Sequence, residues 1–283
     1  MANSPETVSA DGRLDQYLVR EGLARSRTLA QRLIHNGAVR VADRVITKAS
    51  YAVAPGQQVT VTEAADSRWV GRGALKLVHA LSAWGEPSGS EEHMLHVRGR
   101  RCLDVGASTG GFTQVLLEHG AAHVTALDVG RDQLAPDLAA DERVTDLPGT
   151  NIRDVTRDQL GTFELVVGDV SFISLRLVLP AVAPLVEPRG DVLFLVKPQF
   201  EVGREHLGHG GVVTSSQERV RALQQVVQTA TGLGWLVHGL DRSPVTGTHG
   251  NIEYLLWLAA YQPGMMSAGV LAARIRDLTR EDD

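Results

Sequence analysis

Arg101-Cys102-Leu103-Asp104-Val105-Gly106-Ala107-Ser108-Thr109-Gly110-Gly111-Phe112 is the stretch whose reading decides how most of this chain folds. Cys102, Leu103 and Val105 read as a short buried strand with Asp104 at its close. Gly106 to Gly111 read as a turn, and Val115, Leu116 and His119 continue as a helical pattern. Strand, glycine loop and helix in that order let backbone approach a ligand at Gly106, Gly110 and Gly111 and leave helix N–H groups unpaired beyond them. A nucleotide-like cofactor fits such a place, although a tight connection in any α/β fold has the same local pattern.

The flanking residues narrow the ligand. The loop has no Gly-Lys-Ser/Thr ending to grip a phosphate, and its glycines are not spaced as GxGxxG. The next strand, His123 to Leu127, ends at Asp128, whose carboxylate would reach the carboxyl end of the first strand and accept from both hydroxyls of a ribose. An acid ending the first strand, a ribose-binding acid on the second and no phosphate grip suit S-adenosylmethionine, a nucleoside that carries a sulfonium.

At 283 residues the chain predicts one large domain plus a small one. Hydrophobic residues make up 43% and charged residues 22%, enough apolar surface for a sizeable core. The single cysteine, Cys102, falls inside the first strand and reads as a packed thiol, so no disulfide framework exists and a reducing cytoplasm is expected. No signal sequence opens the chain. The apolar run Leu177 to Val186, broken by Pro180 and Pro184, is too short to span a bilayer. A net charge of −5 exerts no general pull on nucleic acid, so contact with a polyanion needs a local basic face.

That face is near the N-terminus. Leu14, Tyr17, Leu18 and Leu23 predict a first helix, and Ser26 caps a second that carries Leu29, Leu33 and Ile34 and stops at Asn36-Gly37. Short strands at Ala38–Val41, Arg44–Ile46 and Gln58–Thr62 follow, with Ala42-Asp43 and Pro55-Gly56 as turns. Arg13, Arg20, Arg25, Arg27, Arg32, Arg40, Arg44 and Lys48 make this module basic against Asp11, Asp15, Glu21 and Asp43. The strings RLDQYL, GLARSRTLAQRLIHNGAVRV and APGQQVTV resemble the S4 RNA-binding domain. That resemblance implies an RNA face of Arg13, Arg25, Ser26, Arg27 and Arg32.

Beyond Trp69, a helix with Leu75, Leu77, Val78 and Leu81 precedes the opening strand, and Gly85 to His93 read as a loop. Strands near Arg143–Asp146, Leu165–Gly168, Asp191–Val196, Trp235–Leu240 and Ile252–Leu258 alternate with helical segments. Such alternation predicts a Rossmann-like α/β domain, a mostly parallel sheet covered on both faces, with its site at the strand carboxyl ends.

Only three lysines, Lys48, Lys76 and Lys197, stand beside 25 arginines. A lysine in an apolar context of so lysine-poor a chain marks a place where the bulkier guanidinium does not serve. Lys197 ends the strand Val192–Val196 and Lys76 lies in the helix after the linker. Asp169 ends the strand Leu165–Gly168, and Glu253 lies where the last strand begins. Four elements of one sheet would bring these four together. A ribose 2′-hydroxyl ionises far above neutral pH, so its attack needs nearby positive charge, and a lysine of lowered pKa could also accept its proton.

GRGALKL, LDVGASTGGFT, DVSFISL, LVKPQFE and GNIEYL resemble the FtsJ-type 2′-O-methyltransferases. With the S4-like module in front, the chain from Arg13 to about Leu258 resembles the TlyA family of rRNA cytidine methyltransferases, some of which are called hemolysin A. The resemblance implies catalytic roles for Lys76, Asp169, Lys197 and Glu253. Lys197 and Lys76 would stabilise or deprotonate the hydroxyl, Asp169 would hold Lys197, and Glu253 would orient Lys76. It also implies S-adenosylmethionine held by Asp104, Gly106, Ser108, Gly110, Gly111, Phe112, Asp128 and Asn151, Arg72 on the RNA face, and no metal. Two positions depart from the family pattern: Gln114 stands where Asp is frequent, and Leu147-Pro148-Gly149 where an acid commonly precedes Thr150-Asn151.

The expected organisation is a tail over 1–10, the S4-like domain over 11–65, a linker over 66–71, the methyltransferase domain over 72–265 and a C-terminal tail over 266–283. The expected partner is ribosomal RNA or a ribosomal subunit, met by a cytoplasmic monomer. Two rival readings remain at this stage: a membrane-acting hemolysin, and an RNA-binding protein without catalysis. The first would need an export signal, a spanning segment or an amphipathic β pattern, none of which the sequence presents.

Overall fold

The computed structural model describes residues 12–24, 26–35, 37–61, 68–85 and 94–280. The chain divides into two compact units, Met1–Val70 and Gly71–Asp283.

In the first unit, helices α1 (Leu14–Arg20) and α2 (Arg27–His35) pack on a small antiparallel sheet of β1 (Val39–Val41), β2 (Arg44–Val45) and β3 (Val59–Val61), ordered β2-β1-β3. Leu14 and Leu18 lie one turn apart on one face of α1 and are wholly buried with Ala30 and Ile34 of α2 and Val39 of β1. Each such leucine contributes roughly 1.5–3 kcal/mol by leaving water. Arg40, between the inward Val39 and Val41, points outward. The predicted turn at Ala42-Asp43 is a two-residue hairpin with φ of 46° and 63°, the left-handed pair that matches strand twist. Leu23 does not extend the stripe of α1: the helix ends at Arg20, and Leu23 is exposed beyond it.

The second unit runs α3 (Ala74–Trp84), β4 (Arg101–Val105), α4 (Gly111–Glu118), β5 (His123–Asp128), α5 (Pro136–Ala139), β6 (Val144–Pro148), α6 (Arg157–Leu160), β7 (Phe163–Gly168), α7 (Leu175–Val182), β8 (Val186–Val196), α8 (Pro198–Glu201), α9 (Ser216–Gly232), β9 (Leu236–Arg242), β10 (Tyr254–Ala259) and α10 (Ala268–Thr279). Its strands form a seven-stranded sheet in the order β6-β5-β4-β7-β8-β10-β9. The first five are mutually parallel, and β10 runs antiparallel to both β8 and β9. One face of the sheet, including Leu103, Val105, Val166, Phe194, Tyr254 and Leu256, packs against Val178 and Leu179 of α7, Leu223 and Val226 of α9 and Ile275 of α10. The alternate residues Cys102 and Asp104 point to the opposite face, and burial pushes the Cys102 thiol up to about 12, as a packed rather than reactive thiol requires.

Two features of this topology position the site. The sheet order reverses direction between β5 and β7, on either side of β4, which leaves a crevice at the carboxyl end of β4. The antiparallel register pairs Tyr254 with Val196, so Glu253, one residue earlier, and Lys197, one residue later, come to the same edge.

The C-terminal tail expected over 266–283 is not what residues 268–279 form. Leu271, Ile275 and Leu278 recur at helical spacing and pack α10 into the core, while Ser267 caps it by accepting from the Val270 N–H. Arg274 donates to the Leu240 carbonyl at 3.0 Å, and Arg219 donates to the Thr279 carbonyl at 3.0 Å. The many arginines and small residues of this segment mask a narrow apolar stripe. The expected N-terminal tail over 1–10 and most of the loop Gly85–His93 lie outside the described residues.

Candidate active site

Four side chains predicted from four separate elements meet at the carboxyl edge of the sheet. Asp169, just past β7, takes Lys197 Nζ at 2.8 Å on Oδ1 and Lys76 Nζ at 2.9 Å on Oδ2. Lys76, on α3, also gives a hydrogen to Glu253 Oε2 at 2.6 Å. Lys197 in turn donates to Ser171 Oγ at 2.8 Å. Both lysines are 7% exposed, and burial of unpaired ammonium groups would be costly, so the two carboxylates are what allow them to be here.

The neighbouring carboxylates set the state of Lys76. Burial works to lower the Lys76 ammonium, but Asp169 and Glu253 outweigh it and hold Lys76 above the ordinary lysine value. Burial would likewise raise the Asp169 carboxyl, yet Lys76 and Lys197 together hold it below its usual range. The expectation of a proton-accepting lysine of lowered pKa therefore fails at Lys76, which keeps its proton.

Beside this cluster is a cavity of about 290 Å³ whose lining includes Arg72, Asp104, Gly106, Ser108, Gly111, Phe112, Asp169, Ser171 and Lys197. Lys197 and Asp169 therefore face the cavity, and Lys76 bonds to both Asp169 and Glu253. Asp104 is 1% exposed and accepts from Thr113 Oγ1 at 2.7 Å; burial pushes its carboxyl up to about 7 despite that bond.

The glycines of the loop have different reasons. Gly106 has φ +80° and brings its Cα so near the Asp169 carbonyl that a Cβ would stand 3.3 Å from that oxygen, which joins the loop to the catalytic edge. Gly110 does not line the cavity: at φ +92° it caps α4, and a Cβ there would strike the side chains of Leu134 and Leu138. Packing alone already requires a glycine there.

Asp128 ends β5 as predicted, and its two oxygens accept from Ser108 N at 2.8 Å and Gly130 N at 2.7 Å. It holds the glycine loop by its own backbone, with lone pairs still to spare on each oxygen. Asn151 also has a structural part. Its Oδ1 accepts from Arg153 N at 3.1 Å and caps a short 3₁₀ turn.

Sequence reasoning passed over Ser171 and Phe172. Phe172 is 91% exposed, has φ +64° and sets its ring centroid 5.3 Å from that of Phe200 at a tilt of 47°, so an aromatic ring projects next to the residue bonded to Lys197. An aromatic between serines in a turn directly after a strand-ending acid was the available signal.

In the first unit, Arg13 and Arg27 each set Nε on the buried Asp15 at 2.9 Å, and Gln31 adds a bond at 2.8 Å. The bonded Arg13 guanidinium, with Gln31 and Arg27, holds the Asp15 carboxyl well below the usual range. About half of each arginine side chain stays exposed, 45% and 55%. Ser26 Oγ accepts from Leu29 N at 3.2 Å, which spends it on capping α2. Arg25 and the Arg32 side chain lie outside the described residues. Trp69, in the expected linker, is 2% exposed, with the Arg68 guanidinium 4.1 Å over its ring.

A parallel sheet whose switch point opens onto a carboxylate-held lysine defines a methyltransferase of the FtsJ-like class, and the sequence profile of the FtsJ-like methyltransferases matches residues 69–260. The S4 domain profile matches residues 12–59. A Mycobacterium tuberculosis protein named 16S/23S rRNA (cytidine-2′-O)-methyltransferase TlyA is 48% identical over 257 residues, 90% of this chain and 92% of that one. Hemolysin A of Brachyspira hyodysenteriae is 34% identical over 86% of this chain and 98% of its own. A solved Streptococcus thermophilus structure bearing a hemolysin name superposes with a TM-score of 0.71 at 35% identity, covering 94% of each chain. The chain belongs to the TlyA family. No helix among the described residues is long and apolar enough to cross a membrane.

Proposed function

We propose that this chain transfers a methyl group from S-adenosylmethionine to cytidine ribose 2′-hydroxyls of ribosomal RNA. The observation that carries the reading is Lys197: it lines the cavity and its ammonium is held by an ion pair with Asp169 and a hydrogen bond to Ser171, with donor capacity left for an incoming oxygen. The named activity of the Mycobacterium tuberculosis relative supports the same reaction and substrate.

The cavity suits the donor. Gly106 lets backbone pass where a Cβ would press on Asp169, Phe112 supplies an apolar wall, and Asp104 and Ser108 supply polar ones. Asp128, at the end of the next strand, has acceptor capacity left for ribose hydroxyls. When bound, S-adenosylmethionine supplies an electrophilic methyl on a sulfonium. Lys197 donates to the 2′-oxygen and stabilises the negative charge exposed on it as the hydroxyl proton leaves to water, a charge that is spent when the oxygen bonds to the methyl carbon and the carbon–sulfur bond breaks. Asp169 fixes Lys197, and Lys76 and Glu253 fix Asp169 from behind, so the acceptor is aligned before reaction. The S4 unit serves to capture RNA: Arg13 and Arg27, aligned on Asp15, present their outer N–H groups to phosphates.

The test is incorporation of tritiated methyl into unmodified ribosomal subunits, with mass mapping of the product RNA. Wild type should label cytidine 2′-oxygens, and Lys197→Ala should lose about a hundredfold or more in rate while binding the donor as before. Labelling at base carbons or nitrogens, or a Lys197→Ala variant above about a tenth of wild-type rate, would overturn the assignment.

A further inference from the structure

We propose that Glu201 is a positioning residue for methyl transfer: its carboxylate clamps the far end of the loop 169–175 while Lys197 clamps the near end, and both arise from one short turn. The proposal rests on the reading of Lys197 given above and adds to it a residue outside the Lys-Asp-Lys-Glu cluster.

The turn α8 begins at Lys197 and ends at Glu201, and it touches the loop after β7 at three successive places. At the start, Lys197 holds Asp169 and Ser171, both at 2.8 Å. In the middle, the Phe200 ring meets that of Phe172 at a tilt, centroids 5.3 Å apart. At the end, Glu201 Oε1 accepts from Leu175 N at 2.8 Å, and Oε2 accepts from Ser174 Oγ at 2.6 Å. Ser174 is the N-cap of α7, and the hydroxyl it gives to Glu201 still accepts from Arg176 N and Arg176 Nε, both at 3.1 Å. Arg176 returns along the same path, donating to the Glu201 carbonyl at 3.1 Å, with Nε 3.5 Å from Oε2.

The Glu201 side chain is 1% exposed, so it does not serve solubility, and it makes no contact with the lysines themselves. A buried carboxylate with two specific acceptances on a loop of seven residues determines where that loop starts α7. Phe172, in the middle of the loop, has positive φ, a strained conformation that persists only when both sides are held. Releasing the Glu201 end lets the strain relax through Ser171 and Asp169, the two groups that orient Lys197. Chemistry, rather than binding of donor or RNA, should carry the loss.

The full-length chain with Glu201→Gln, Glu201→Ala, Ser174→Ala and Ser174→Ala/Glu201→Gln is assayed beside wild type. The measurements are kcat and KM for ribosomal subunits, donor affinity by calorimetry, and hydrogen exchange. Glu201→Gln keeps the shape but turns one acceptor into a donor; its kcat should fall about tenfold, and that of Glu201→Ala about a hundredfold. KM and donor affinity should stay within about twofold, because only the transition-state alignment is altered. Ser174→Ala should resemble Glu201→Gln, and the double variant should be no worse than either, as expected for two halves of one clamp. Exchange should quicken at the amides of 169–176 and stay unchanged in β4, β5 and β10. A folded Glu201→Gln with wild-type kcat, or losses in kcat and donor affinity that run in parallel, would overturn the proposal. If Glu201→Ala does not fold, Glu201→Gln decides. Should wild type itself transfer no methyl to RNA, the functional reading falls, and unchanged exchange at 169–176 would still sink the clamp on its own.

Discussion

Lys76 and Glu253, 177 positions apart in the chain, meet with 2.6 Å between Nζ and Oε2. Their pairing is joined to Lys197 through Asp169, whose second oxygen meets Lys76 while the first meets Lys197. Its parts in stability and in chemistry can be measured separately. Lys76→Met leaves the buried Glu253 without its ammonium and Asp169 with one lysine instead of two, and should cost about 3–5 kcal/mol of stability. Adding Glu253→Met should recover much of that in denaturant titrations, because an apolar pair replaces an ionic one, yet methyl transfer should remain lost. Recovery of activity together with stability would mean that neither residue matters beyond folding.

Asp128 presents a compound case. Because it holds the N–H groups of Ser108 and Gly130, Asp128→Ala should weaken donor binding by about 1.5–3 kcal/mol through lost ribose bonds and a loosened loop together. Asp128→Asn keeps one acceptor and should fall between. Calorimetry with S-adenosylmethionine reads both, and wild-type affinity in Asp128→Ala would move the donor away from β5.

The buried Asp104 makes stability depend on pH in an unusual direction. Its folded pKa of about 7 lies above the unfolded 3.8, so its contribution is fully present below about pH 4 and is lost as pH rises towards 7. Asp104→Asn, which can still accept from Thr113, should remove this dependence. In the donor-free protein it should be more stable than wild type at pH 8.5 by on the order of 4 kcal/mol, and about equal near pH 4. Parallel melting curves at the two pH values decide it. Equal stabilities at pH 8.5 would mean that Asp104 is ionised without penalty.

Asp15 offers a test in which charge and geometry predict opposite signs. By charge alone, Asp15→Ala makes the S4 unit more basic and should tighten RNA binding. If Arg13 and Arg27 work because Asp15 aligns them, affinity should instead fall, by about three- to tenfold at moderate salt. Filter binding to ribosomal RNA at two salt concentrations distinguishes these, and tighter binding would reduce Asp15 to a structural role.

Much of this was legible without coordinates. Alternating short apolar runs and helical stretches predicted the parallel sheet, because strand and helix periods are local properties of the chain. The rarity of lysine singled out Lys76 and Lys197 before any contact was known. Other readings needed the fold. At Gly110 the fold adds a requirement that no local pattern shows: Leu134 and Leu138 press on it from a later helix and the residues leading into it. That Asn151 caps a short turn through Arg153 N is likewise visible only in the fold. The segment 266–283 looked featureless, yet the stripe of Leu271, Ile275 and Leu278 finds its partner in α9 and β9.

By itself, then, the sequence determined the order of strands and helices, the placing of acids and lysines at strand ends, and a basic module ahead of them, since all of these follow from spacing within a dozen residues. Tertiary structure alone decided which lysine faces the cavity, that Asp169 serves both, that Arg13 and Arg27 share one buried carboxylate, and that Glu201 reaches back to Ser174. These depend on registers between strands and on contacts across 93 or 177 positions, where burial sets the strength of each charge and no local pattern records the partner.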